Sequence, residues 1–265
     1  MQKLSIQDLT LPAQAHLMAK ISQIAYLDPP KSTIAFAEIG FKAEFIEVKN
    51  SQIYLLTNET DAVVVCRGTE PSEFADIKDD LKIGLTKSST GIGRVHRGFK
   101  DHADRIWPTL EPKIAKLSVT KNIWCTGHSL GAAVALLSAV KAGRNKTYPN
   151  PIGIFTFASP RVGDDDYVRM INTLDIPHYR FVNNADIVPR LPPFPYQHHA
   201  DMYYMNHWGN IREMTWMQLI KDRLRGFVKG IKLGNINYFT NHAIARYVAN
   251  LERWARGEER LQDKI

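Results

Sequence analysis

Residues 126–133 read Thr-Gly-His-Ser-Leu-Gly-Ala-Ala, with Ser129 held between two glycines. Ile123 to Thr126 before it suits a strand, and the Ala-, Leu- and Val-rich run Leu130 to Val140 after it suits a buried helix. A G-x-S-x-G pattern across a strand-to-helix turn lifts the serine hydroxyl above a sheet, where it can attack an acyl carbonyl. Gly127 and Gly131 leave space where the turn brings strand and helix backbones together. The helix start offers backbone N–H groups to a developing oxyanion. The plainer reading is a serine that only caps a helix.

A serine attacks poorly without a histidine base, and the base needs an acid to orient it. On this kind of fold the chain order is Ser, then Asp or Glu, then His. The acid should follow a later strand, and Asp186 in HYRFVNNADIVPRLPP fits, after Tyr179 to Val182 and before stiffening prolines. Asp164, Asp165 and Asp166 open a helix, Asp175 ends one, and Asp201 precedes a strand, so each suits the role less well. The downstream histidines are His178, His198, His199, His207 and His242. His178 starts a strand, at the wrong end. His198 and His199 lie in a proline-rich loop near Asp186 and could line a site. His207 belongs to a strand or its turn. His242 opens the last helix, where a loop-borne base belongs.

The elements that must position these residues alternate. Helical spacing runs from Leu11 to Leu27 and stops at Asp28-Pro29-Pro30. Strands are expected at Phe41 to Val48, Ile53 to Leu56, Ala62 to Cys66, Asn122 to Thr126, Ile152 to Ala158, His178 to Asn183 and Met202 to Met205, the last with an extension toward Ile211. Helices are expected at Gly98 to Leu117 with a kink or new start at Pro108, at Leu130 to Val140, at Asp164 to Leu174, and from Met214 to Lys229 and Asn241 to Ala255. Residues 70–93 read as a polar surface excursion with a short helix near Phe74 to Leu81. Such alternation argues for an α/β fold, a mostly parallel central sheet flanked by helices on both faces, with ligands beyond the carboxyl ends of its strands.

Composition narrows the classes. At 265 residues with 44% hydrophobic and 23% charged content, the chain suits one large α/β domain spanning 1–265. The formal net charge of +7 is spread along the chain, dense only from Lys221 to Lys232, so nucleic acid is not the expected partner. The two cysteines, Cys66 and Cys125, sit in apolar strands and read as buried free thiols. No Cys/His spacing suits a metal, and no cofactor is called for. No apolar run reaches transmembrane length and the N-terminus lacks a secretory leader, so the expectation is a soluble chain, cytoplasmic or exported without a cleaved leader. Residues 211–235 carry Trp216, Leu219, Ile220, Leu224, Phe227, Val228 and Ile231 at helical spacing among basic residues. They form a candidate amphipathic cover helix for a lipid–water interface.

Six ordered segments resemble the class 3, fungal-type lipases of the α/β-hydrolase fold: VVVCRGTE, VHRGF, TGHSLGAAVALL, FTFASPRVGDDDY, FVNNADIVPRLPP and NHAIARYVANL, between about residues 62 and 251. The resemblance implies Ser129 as nucleophile, Asp186 as acid and His242 as base. It implies an oxyanion hole from the backbone N–H groups of Thr69 and Leu130, with His128 and His198 beside the pocket. It implies an acyl ester or lipid substrate, triacylglycerols and shorter acyl esters foremost. Phospholipid, feruloyl ester and acyl-transfer chemistry on the same serine are the alternatives, and a catalytically inactive lipid-binding module is the reading of another class. Three positions depart from the family pattern: Ala158 for a usual Gly, Asn241 for a usual Asp, and Phe74 for a common Trp in the lid segment 70–93, which is polar here. The missing leader and disulfides resemble a bacterial-type, leaderless member.

Overall fold

The computed structural model describes residues 5–68, 84–117, 121–145, 149–184, 186–215, 217–222 and 241–259. The strands are β1 (Lys42–Val48), β2 (Ser51–Thr57), β3 (Asp61–Cys66), β4 (Leu85–Lys87), β5 (Arg94–His96), β6 (Asn122–His128), β7 (Pro151–Phe157), β8 (His178–Asn183), β9 (Met202–Met205) and β10 (Ile211–Arg212). The helices are α1 (Leu11–Ile24), α2 (Pro29–Glu38), α3 (Arg97–Ala115), α4 (Leu130–Arg144), α5 (Asp165–Asn172) and α6 (Ile244–Ala255). An 8-stranded sheet runs in the order β1-β2-β3-β6-β7-β8-β9-β10. Its centre, β3 through β9, is parallel, and antiparallel strands flank it on both edges.

Both faces are covered, which explains why the central strands read as continuous apolar runs. Alternate side chains enter separate cores. Val64, Cys66, Cys125 and Ile154 point to the face under α3, α4 and α5. Val63, Val65, Trp124 and Phe155 point to the face under α1, α2 and α6. Each fully buried side chain of this size contributes about 1.5–3 kcal/mol of transfer free energy. α4 is buried nearly all round, as its Ala/Leu/Val composition requires. The first and last helices, α1 and α6, pack on each other.

The elements differ from expectation at several points. Asp28-Pro29-Pro30 does not only stop α1. Asp28 takes the cap position of α2 and the prolines its first turn, where a missing N–H costs nothing. α3 runs unbroken through Pro108 and Pro112, because the stripe Phe99, Ala103, Ile106, Leu110, Ile114 stays packed on the core throughout. Ile211 does not extend β9. The chain turns at 206–210 and returns as the antiparallel β10. Within the 70–93 excursion, Leu85–Lys87 pairs with β5 in a small hairpin, and the helix expected near Phe74 to Leu81 lies outside the described residues. Of the candidate cover helix, residues 217–222 are helical, with Met217 exposed and Leu219 buried against Val182 and Tyr204. Trp216 and residues 223–235 lie outside the description. Both cysteines are free and buried, and burial pushes their thiol pKa values up, to about 12 at Cys125.

Ala158 sits at φ 54°, just past the end of β7. A residue with a Cβ is strained in that region, which accounts for the usual glycine. Ala158→Gly is expected to raise stability by about 0.5–1 kcal/mol, a Tm gain of about 1–4 °C by calorimetry. A fall in Tm would show that the strain is already relieved elsewhere.

Candidate active site

The turn after β6 sets the site. Ser129 has φ 59° and ψ −129°, a conformation disfavoured for any residue with a side chain. Its N–H donates to the Phe157 carbonyl at 3.0 Å, and its carbonyl accepts the N–H of Ala132 at 3.0 Å, so it belongs at once to the sheet edge and the helix start. The turn leaves no room for larger neighbours. A Cβ on Gly127 would strike the Gly131 carbonyl, and one on Gly131 would strike the Cys66 carbonyl and the Arg67–Gly68 backbone. As the first helical residue, Leu130 has an N–H without an intrahelical acceptor.

Three distant residues converge here. His242, just before α6, has Nε2 2.9 Å from Ser129 Oγ and Nδ1 3.1 Å from each carboxylate oxygen of Asp186. Ser129, Asp186 and His242 are all buried. Asp186 follows β8 and accepts the Val188 N–H at 3.0 Å, so the loop itself aims the carboxylate. The acceptor on Nδ1 places the remaining ring nitrogen to take a proton from the serine. Among the described residues, no group of three or more His, Cys, Asp or Glu could hold a metal ion.

Two residues that sequence reasoning passed over complete the arrangement. Tyr247 donates its hydroxyl to Asp186 Oδ2 at 2.7 Å and accepts the Asn183 N–H at 3.0 Å. Burial and the neighbouring Asp186 carboxylate hold its pKa well above 10, so it remains a donor. Tyr26, from the end of α1, donates to His128 Nδ1 at 2.8 Å, and His128 Nε2–H donates to the His242 carbonyl at 2.7 Å. Burial, reinforced by His242, keeps the His128 imidazole neutral. In the sequence both tyrosines look like ordinary core aromatics on helices. The signal was their spacing, Tyr247 within the NHAIARY segment and Tyr26 at a helix end.

The other histidines go elsewhere. His198 Nε2–H donates to the Pro189 carbonyl at 2.6 Å, buttressing the loop that carries Asp186, and burial with Arg180 lowers its pKa to about 3. His199 does not line the site. It stacks on His178 at 5.2 Å, at the amino ends of the strands, and burial lowers its pKa to about 4. His207 lies in the β9–β10 turn and contacts the buried Asp222. Asp164 caps α5 and ties it to Arg94 at the start of β5. Thr69 follows Gly68 directly and lies outside the described residues.

A hydroxyl, an imidazole and a carboxylate in line at a strand-to-helix turn of a mostly parallel sheet define an α/β-hydrolase with a Ser–His–Asp arrangement. Residues 63–196 match the model of the lipase (class 3) family, and the chain belongs to that family. It is similar to the toxin TseL of Vibrio cholerae, 28% identical over 182 residues that cover 54% of this chain and 28% of that protein. It is similar to the secreted mono- and diacylglycerol lipase 1 of Fusarium solani, 31% identical over 183 residues that cover 64% of this chain and 54% of that one. The chain thus spans about half or less of the length of these relatives. In structure it resembles the triacylglyceride lipase of Rhizomucor miehei, with a TM-score of 0.64 and 24% identity over 73% of this chain and 79% of that chain, a likeness of fold.

Tyr247→Phe is expected to slow fluorophosphonate labelling of Ser129 about tenfold or more, because a hydrogen bond to a carboxylate is worth about 1.5–3 kcal/mol. Unchanged labelling would make the tyrosine a packing residue. A second expectation concerns acid. His128, His178, His198 and His199 have folded-state pKa values below the unfolded 6.5. The unfolded chain therefore binds more protons, and stability falls as pH drops below about 6.5, each buried histidine contributing up to about 1.4 kcal/mol per pH unit. For His199 and His198 the loss continues to about pH 4 and about pH 3. Denaturant unfolding from pH 7.5 to 4.5 reads this directly, and a flat profile would contradict it.

Proposed function

We propose that the chain is a serine ester hydrolase that cleaves the acyl esters of lipids, triacylglycerols and shorter acyl esters foremost, through an acyl-enzyme on Ser129. The observation that carries this reading is the 2.9 Å contact between His242 Nε2 and Ser129 Oγ, with Asp186 on the far side of the ring. His242 takes the serine proton as Oγ attacks the ester carbonyl. Asp186 stabilises the imidazolium, and the same proton then passes to the departing alcohol. Water, activated by His242, releases the acid. The Leu130 N–H, and Thr69 as the family resemblance implies, hold the oxyanion, each donor worth about 3–4 kcal/mol. No metal or cofactor enters these steps.

The family and the name of the Fusarium solani relative support a lipid acyl ester as substrate. The likeness to TseL supports the narrower reading of a bacterial-type member. Candidate cover residues between 211 and 235 remain part of the proposal as a lipid-facing surface, for which the exposed Met217 and Ile220 speak.

The test is hydrolysis of p-nitrophenyl esters from short to long acyl chains, beside a triglyceride emulsion, with Ser129→Ala as control. Turnover is expected to fall at least about 10³-fold in the variant. Turnover on short soluble esters alone would restrict the reading to an esterase. Turnover that survives Ser129→Ala would end it.

A further inference from the structure

A second buried carboxylate lies close to the acid of the site. Asp222 closes the helical residues 217–222. It is the only Asp or Glu from Met214 to Leu251, a stretch otherwise rich in Lys and Arg. In such a run a carboxylate normally stays in water beside its cations. Asp222 turns inward instead and is 2% exposed. Its Oδ2 accepts the Asn184 side-chain amide at 2.6 Å, the Tyr204 hydroxyl at 2.9 Å and the His207 backbone N–H at 3.1 Å. Its Oδ1 contacts His207 Nδ1, which must carry a proton to face an acceptor. Leu219, one turn earlier, packs on Val182 and Tyr204. Burying a carboxylate is unfavourable unless donors surround it, as they do here.

These donors lead to Asp186. Asn184 stands two residues before it and has φ 22°, uncommon for a residue with a side chain. Such an angle persists only where the surroundings fix it. The Asn184 N–H donates to the Met205 carbonyl at 2.7 Å, and its side chain donates to Asp222. Asn183 is held from the other side. Its N–H donates to the Tyr247 hydroxyl at 3.0 Å and its Nδ2 to the Asn241 carbonyl at 2.9 Å. The Asp186 N–H donates back to the Asn183 carbonyl at 2.8 Å, so the two asparagines open the turn that carries the acid. Residues 222 and 241 are therefore fixed on neighbouring residues of one turn.

We propose that Asp222 is a positioning residue of the site: through Asn184 it holds the turn that aims Asp186 at His242. The proposal rests on the reading of Ser129, His242 and Asp186 as the hydrolytic machinery. Asp222 touches neither the substrate nor the imidazole of His242. It acts on the angle and distance of the carboxylate, to which catalysis is sensitive at the scale of about 1 Å. A useful contrast is Asp61, fully buried at the start of β3, which accepts Ser5 Oγ, the Ile6 N–H, Thr60 Oγ1 and Trp124 Nε1. It is a carboxylate of the same kind at the opposite end of the parallel strands from Ser129.

The test measures kcat and KM on a soluble short-chain p-nitrophenyl ester, with every variant held well below its own Tm. Asp222→Ala and Asn184→Gly are each expected to lower kcat about tenfold and to leave KM within about twofold. The double variant should fall no further than the slower single one, because both substitutions break one path. Asp61→Ala should lower Tm but not kcat. The proposal is overturned if either single variant keeps the full kcat, if the two losses multiply toward about a hundredfold, or if Asp61→Ala lowers kcat as much. Asn184→Gly reads the same path alone should Asp222→Ala not fold. Amide hydrogen exchange in peptides spanning 183–190 follows the turn without turnover and should speed up in both variants. If no ester is hydrolysed but exchange speeds up, the hydrolase reading fails and the clamp on the turn stands. If the ester turns over and the variants change neither kcat nor exchange, the clamp fails and the hydrolase reading stands.

Discussion

The end of β3 crosses the β6–α4 turn so closely that neither Gly127 nor Gly131 can carry a methyl group. That contact forces the helix start against the strand end. It holds Ser129 at a positive φ. The strain at Ser129, about 1–3 kcal/mol, persists because sheet and helix bonds flank it on both sides. The same approach brings the Arg67–Gly68 backbone against Gly131, one residue past Leu130. The placements of Ser129 and of the Leu130 N–H are therefore consequences of a single steric limit.

Around this limit the polar groups form a connected set. Asp186 receives Val188, Tyr247 and His242, and His128 links Tyr26 to the His242 backbone. Buried polar groups cost several kcal/mol unless they are bonded, so a fully paired network tends to adopt one arrangement. The tyrosines do this without adding charge, since burial keeps Tyr247 protonated. The carboxylate stays aimed by donors from its own loop and from α6.

Much of this was legible in the sequence, and the reasons differ by residue. Ser129, Asp186 and His242 could be read because each sits at a strand end or helix start with recognisable turn chemistry around it. The buried parallel strands announced themselves as β-branched runs. α2 escapes the sequence reading because Asp-Pro-Pro reads as a stop and is also a start. The β4–β5 hairpin was missed because its strands are three residues each and polar. His199 reads as near the site because it lies in the proline-rich loop close to Asp186 in sequence, whereas its ring packs on His178 at the start of β8.

The hydrogen bonds that join the serine, the imidazole and the carboxylate close sequence separations of 113 and 56 residues. α6, which follows His242, docks on α1, the first of the helices. During synthesis, a chain that has emerged only through β9 holds Ser129 and Asp186 but not His242. The three-residue arrangement is therefore a late event of chain growth. A ribosome-bound intermediate of this length carries Ser129 in a sheet that, among the described strands, lacks β10 alone.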